Sequence, residues 1–494
     1  MNPRSFKWFF GILAFLFALY LTLLIPDPAV LVSRAQDKEP FAWNRDEYWS
    51  SLESRFKEAR AEGCAGLSLA INQRLSKIDS LNVRLRNGSL PPTMPVYGEV
   101  ESNFFESGVL LAVCPSRASD YMRSFGELRR ALKQQSVKWD MNSQAGRDCI
   151  YRLLYGGRIA IEEVILQSAK GVVSQPVVEA NEPSETPSAT ILGMEIHSGD
   201  ILVSRGGAPT SALIARGNDY PGNFSHVALI YIDENTGLVS IIESHIEKGV
   251  AIAGIEDYLK DIKLRVMVLR LRSDHPALQA DPMLPHYAAK YMFGQAGAEH
   301  IPYDFAMNTS NKSKMFCSEV VSGAYSHCGV KLWAGLSNIS SMGARSWLSA
   351  FGVRNFTTEE PSDLEYDPQL SVIVEWRDYE TLYKDHLDNA VVDIMLESAD
   401  NGAALGYDWY MLPVARVIKI YCAIINKFGA IGPIPEGMTA TSALKNKWFS
   451  RHHSETVKKL SVLAQHFRQS NGYSPPYWDL IKLARQAYTS SVTR

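Results

Sequence analysis

A cysteine, a histidine and a glutamate in this 494-residue chain each stand at the edge of an apolar run. Cys317 lies in Lys314-Met315-Phe316-Cys317-Ser318-Glu319-Val320-Val321. Behind it Val320, Val321, Ala324, Tyr325 and Cys328 recur at helical spacing, and Gly329 supplies the stop, so the thiol is expected in the first turn of a buried helix. A helix start offers unpaired N–H groups and the positive end of the dipole, which favour the thiolate, the nucleophilic form. Position alone also suits a plain core cysteine, because free Cys is commonly buried. The partners upstream favour chemistry. His226 opens the apolar run Val227-Ala228-Leu229-Ile230, and Glu243 follows Ile241-Ile242 one strand later. Adjacent antiparallel strands can set His226 beside Glu243. A helix packed on that sheet would bring Cys317 to the imidazole. Cys317 would then attack a carbonyl, His226 would take and return a proton, and Glu243 would hold the ring tautomer. The Cys317 N–H would be an oxyanion donor. His245, two residues on and therefore on the same strand face, is the alternative third member.

Such a site needs a sheet and a helix to position it. After the turn Ser198-Gly199-Asp200, strands are expected at 201–203, 227–231, 238–243, 249–252 and 264–272, with a helix near 286–293. Strands clustered together and flanked by helices, without strict alternation, indicate an α+β class. Residues 44–170 read as mostly helical. Trp49, Leu52, Phe56 and Ala59 mark one helix, Ile71, Leu75, Ile78 and Leu85 a second, and Tyr121, Phe125, Leu128 and Leu132 a third. Residues 175–190 have a linker composition. After 350 the pattern is helical again, with Tyr383, Leu387, Val391 and Ile394 on one face. Residues 411–425 are apolar but carry Arg416 and Lys419, which suits a buried or interfacial helix better than a membrane span. The expected division is 1–35 anchor or signal segment, 36–175 helical region, 176–190 linker, 191–350 catalytic domain and 351–494 C-terminal helical region.

The N-terminus departs from ordinary globular composition. Arg4 and Lys7 precede an uncharged apolar run, 8–25, ended by Pro26. An uncleaved transmembrane helix is favoured over a removed signal, because the one small-residue site, Ser33-Arg34-Ala35, lies far from the run. Charge before the span would keep the N-terminus inside and place Asp37 onward outside: a single-pass protein of the cell membrane with its catalytic domain on the periplasmic or extracytoplasmic side. A net charge of −3 argues against a nucleic-acid partner. No C-x-x-C or H-E-x-x-H occurs, so neither metal nor cofactor is expected. Cys64, Cys114 and Cys149 leave room for one disulfide of undetermined pairing. His197, His275, His300, His452 and His453 show no ligand spacing and read as surface residues. The basic last fifty residues read as a solvated helical face.

Gly199-Asp200-Ile201-Leu202, Phe224-Ser225-His226-Val227, Ile242-Glu243, Tyr303-Asp304-Phe305 and Phe316-Cys317-Ser318-Glu319 together resemble the circularly permuted papain-like hydrolases of the NlpC superfamily, YaeF/YiiX type. In that family histidine precedes cysteine and a glutamate commonly completes the triad. The resemblance covers residues 191–350. It implies a small antiparallel sheet with the cysteine helix packed on it, flanked here by the two helical regions, and a Cys317-His226-Glu243 site acting on an amide or ester. Tyr303 and Asp304 either line the pocket or form a structural turn. The substrates to consider are a peptide, a cell-wall fragment or a lipid-like molecule. Two rival functions are a lipid-directed thiol acyltransferase, whose relatives use a second histidine, and a non-catalytic envelope scaffold.

Overall fold

The computed structural model describes residues 3–28, 32–33, 38–171, 177–426, 428 and 430–492. Its centre is a seven-stranded sheet in the order Val177–Val178, Leu370–Trp376, Lys263–Leu271, Ile201–Gly206, His226–Ile232, Val239–His245, Gly249–Gly254. Every neighbouring pair is antiparallel. Both faces are covered. Val227, Leu229, Tyr231 and Ile242 pack with Val320, Val321 and Ala324 of helix Cys317–His327. Ala228, Ile230, Ile232 and Ile241 pack with Ile196, Tyr258 and Val374 on the other side. Burial on both faces explains why the central strands read as continuous apolar runs.

The region before the sheet is a helical bundle of Asp46–Arg86, Pro95–Val113, Ala118–Ser136 and Gln144–Gln167. The stripes read from sequence are its core: Leu52, Phe56, Ile71, Leu75, Leu85, Phe125 and Leu132 are all buried there. The first two amphipathic stripes lie end to end in Asp46–Arg86, separated at Gly63, whose φ of 74° interrupts the helix. Cys64 is bonded to Cys114, with Cα atoms 5.1 Å apart, while Cys149 is free and buried. Replacing Cys64 and Cys114 together by Ser is expected to destabilise the bundle by about 2–4 kcal/mol. Circular-dichroism melting checks this as a lowered Tm, and an unchanged Tm would count against the bond.

The C-terminal region packs helices Tyr379–Asp400, Ala440–Asn471 and Tyr477–Val492 into a second helical core. Helix Leu412–Asn426 buries Leu412, Pro413, Ala415 and Cys422. It leaves Val414, Val417, Ile420, Tyr421 and Ile424 exposed.

Buried charges join the three regions. Arg265 of the sheet lies 2.7 Å from Glu162 of the bundle and 2.5 Å from Asp385 of the C-terminal helix. Arg158 reaches Glu365 at 3.2 Å and also contacts Glu375. Arg377 holds Glu179 at 3.0 Å. The side chains of this network are at most 5% exposed.

The N-terminus corrects an expectation. No helix among the described residues is long and apolar enough to cross a membrane, so the transmembrane helix predicted over 8–25 is not present. Helix Pro3–Leu23 takes in both Arg4 and Lys7 and stops before Ile25. From Trp8 to Leu23 it rises roughly 24 Å at about 1.5 Å per residue, against a hydrocarbon thickness of about 30 Å. Arg34 and Ala35 of the suggested cleavage site, and the Asp37 boundary, lie outside the described residues, as do 172–176, which include the start of the expected linker. Within that linker Val177–Val178 forms the sheet's edge, and Ser188–Ile191 pairs with Met194–His197.

Candidate active site

The Cys317 helix starts where a polar loop is clamped to the sheet. Ser244 donates its hydroxyl to the Met315 carbonyl at 2.7 Å, and Met315 bridges Tyr303. Asp304 accepts from the N–H groups of Ala306 at 3.0 Å and Asn308 at 2.5 Å. Of the two readings left open for Tyr303-Asp304, Asp304 therefore fixes the turn, while Tyr303 lines the cleft. Three residues into the helix, Glu319 reaches back to accept from the Phe316 N–H at 3.1 Å. Burial pushes its carboxyl up to about 7, against the opposing effect of that bond. Cys317 itself is 6% exposed. Its position leaves its own N–H without an intrahelical acceptor.

His226 is the first residue of its strand. The ladder sets small Ala228 opposite Glu243, which leaves the carboxylate free to lean diagonally toward the imidazole. His226 Nε2 lies 2.7 Å from one Glu243 oxygen, and His245 Nε2 lies 2.9 Å from the other. The sequence offered Glu243 and His245 as alternatives; in space they are consecutive, with the carboxylate held between two imidazoles whose centroids are 5.6 Å apart. Cys317 lines the same cleft as His226 and acts on the charge of its ring. The site thus runs Cys317, His226, Glu243, His245.

Charge is distributed accordingly. Burial pushes the Glu243 carboxyl up, but the hydrogen bonds from His226 and His245, with their charges, hold it well below the usual range. Burial pulls His226 down, and Cys317 and Glu243 together outweigh it, raising the imidazole to about 10. A folded-state pKa above the ordinary ~6.5 adds stability that is complete below about pH 6.5 and is lost as pH rises through the folded value. The His226 ring signal in NMR is expected to titrate near 10 and to move down in Glu243→Gln. A wild-type midpoint near 6.5 would refute this charge arrangement.

These residues line a cleft of about 1030 Å³. Ile262, Phe305, Ile431 and Met438 supply its apolar surface. Sequence reading missed further polar residues on its walls, Glu359 and Glu360 among them. The only signal was the adjacent acid pair before Pro361, which reads equally well as a solvated turn. Two histidines expected at the surface are buried instead. His197 Nδ1 donates to the Thr186 carbonyl at 2.9 Å, and His453, 2% exposed, is lowered by burial to about 4. Among the described residues no group of three or more His, Cys, Asp or Glu side chains is arranged to hold a metal ion.

A thiol at a helix start, in one cleft with an imidazole that is backed by a carboxylate on an antiparallel sheet, is the arrangement of a cysteine hydrolase. Residues 195–374 match the family model described as permuted papain-like amidase enzyme, YaeF/YiiX, C92 family, and over that segment the chain is an enzyme of the cysteine amidase/peptidase type. No curated protein matches the chain.

Proposed function

We propose that the protein cleaves an amide or ester bond through a thioacyl intermediate on Cys317. Cys317 Sγ attacks the carbonyl carbon, and the developing oxyanion faces the Cys317 N–H. His226 gives its proton to the departing nitrogen or oxygen, leaving a thioester. Water then attacks with His226 as base, the C–S bond breaks, and acid and thiol are released. Glu243 keeps the imidazole oriented and supports its positive charge. The observation that carries this reading is the His226 ring in one cleft with Cys317 and 2.7 Å from a Glu243 oxygen. Brief exposure to p-nitrophenyl acetate followed by peptide mass spectrometry tests it: an acetyl group on Cys317 is the expected product, and acetylation confined to other residues would refute it.

The two outer members of the row should differ in weight. Glu243 contacts the proton-carrying ring, whereas His245 acts only through Glu243. Glu243→Gln is therefore expected to lower kcat by about 10²–10⁴-fold, the range of general acid–base assistance. His245→Gln should lose less. Steady-state kinetics of the two variants decides the order, and the reverse order would favour acyl transfer through a second histidine.

A second reading concerns the substrate. Trp409, Tyr410, Val417, Ile420, Tyr421, Phe428 and Ile431 are all at least half exposed, and Ile431 is also part of the cleft wall. An apolar strip running to the cleft favours a lipid-like acyl chain over a wholly polar peptide. Comparing hydrolysis of short- and long-chain p-nitrophenyl esters tests this, and no gain with chain length would remove it.

A further inference from the structure

Glu360 is 4% exposed and lines the cleft with Cys317. Among the described residues its carboxyl makes no hydrogen bond or ion pair. The Glu360 oxygens are not among the fully buried unpartnered atoms, so they open onto the cleft, where a ligand can reach them. The charges that act on it are Asp363 and Cys317, both unfavourable to its ionisation, and Arg147. Arg147 is already engaged: it contacts Asp363 and donates to Ser337 at 2.8 Å. Of the other cationic groups on the cleft, Lys260 and Lys263 lie against Asp257 and Asp261, His226 and His245 lie against Glu243, and Lys248 forms no ion pair with Glu360 among the described residues. One oxygen of neighbouring Glu359 is also buried and unpartnered, as are the hydroxyls of Ser225 and Ser318.

The backbone that carries Glu360 is fixed with respect to the catalytic histidine. Trp333 Nε1 donates to the Glu360 carbonyl at 2.8 Å. Ser362 Oγ accepts from the Phe224 N–H at 2.9 Å and donates to the Phe224 carbonyl at 3.0 Å. Phe224 stands two residues before His226. The carboxyl is thus pre-positioned in the cleft without a counter-charge in contact with it, as a binding group for a cation must be before its ligand arrives.

We infer that Glu360, assisted by Glu359, receives a primary ammonium group of the substrate, so that the bond cleaved at Cys317 belongs to an amine-bearing amide or ester. This rests on Cys317 being the nucleophile. The ammonium supplies the counter-charge the pocket lacks, and a charge-assisted hydrogen bond in a shielded cleft discriminates against an uncharged isostere.

Affinity labelling of the full-length chain separates this inference from the hydrolase reading. The probes are 2-bromoethylamine and 3-bromopropylamine, which carry an ammonium, and iodoacetamide, which is neutral. In each case the Cys317 thiolate forms a C–S bond while the carbon–halogen bond breaks and halide leaves. The measurement is the ratio of ammonium to neutral labelling rate at Cys317, divided by the same ratio for free cysteine. The expected value is about tenfold or more in the wild type, the size of one good charge-assisted contact, falling to within about twofold of unity in Glu360→Gln. The thiolate's own attraction for cations is common to both proteins, so the change on substitution reports Glu360. Glu359→Gln, at a partly exposed site, is the second variant and should give an intermediate ratio. A wild-type ratio near unity overturns the inference while leaving the nucleophile intact. A ratio retained in Glu360→Gln but lost in Glu360→Ala also overturns it, by making Glu360 a hydrogen-bond donor. Failure of iodoacetamide to label native Cys317 would sink the hydrolase reading, and this inference with it.

Discussion

Cys317→Ala and Cys317→Ser are expected to lower kcat/KM by three or more orders of magnitude while the fold persists, the usual outcome when a covalent nucleophile is removed. In the proposed mechanism the thiol is the atom that is acylated. It lies at the start of helix Cys317–His327, in the cleft that His226 also lines. Ala keeps the helix, since the start is pinned by Ser244 on Met315 and Glu319 on Phe316, neither of which uses the sulfur. Ser keeps a nucleophilic atom, but an alkoxide forms far less readily than a thiolate beside an imidazolium. Residual activity within about tenfold of wild type in either variant would end the assignment, because misplaced binding alone accounts for losses of that size. Unchanged melting in the same samples is needed to attribute the loss to chemistry.

The second large effect is on stability. Glu162→Ala is expected to destabilise the protein by about 3–5 kcal/mol, the cost of breaking a buried pair and leaving its partner uncompensated. Glu162 is fully buried and accepts from Arg265 at 2.7 Å and from His386 at 3.0 Å. Burial pushes its carboxyl up, and Arg265 and His386 hold it well below the ordinary range. A carboxyl so depressed adds stability above its ordinary pKa of about 4.3 that is lost as pH falls toward the folded value. The variant should therefore differ most from wild type near neutrality and converge with it in acid. Urea unfolding at several pH values reads both the size and the trend, and a change below about 1 kcal/mol at pH 7 would contradict the account.

Much of the proposed site was legible because its residues stand at element boundaries. The apolar run after Cys317 located its helix, and the run after His226 located its strand mouth, since burial forces periodicity on both. The coexistence of Glu243 and His245 was less legible: the two-residue spacing fixes a shared face, but only the register, with Ala228 opposite Glu243, allows the carboxylate to serve both rings. Glu360 lay beyond reach, because its burial depends on Trp333 and Phe224, residues far away in sequence. The N-terminal run misled for a local reason. Hydrophobicity extends to Ile25, whereas the helix ends at Leu23 and begins with charges inside it. His453 likewise looked exposed because it stands in a basic stretch, yet it faces the Asp388 backbone in the helical core.

The buried arginines bear on how this chain can be divided. Arg205 and Arg265 lie inside the segment 195–374 that matches the family model. Their counter-charges, Glu162 and Asp385, lie on either side of it. Arg158 and Arg129, from the bundle, are neutralised by Glu365 within the segment and Glu375 just past its end. The stretch that carries the recognisable chemistry is therefore not a portable cassette. Moved alone into another protein, it would carry arginines stripped of their partners into its own interior. Exchange between relatives would succeed only when both helical frames travel with it, so the unit of recombination extends well beyond the unit of resemblance.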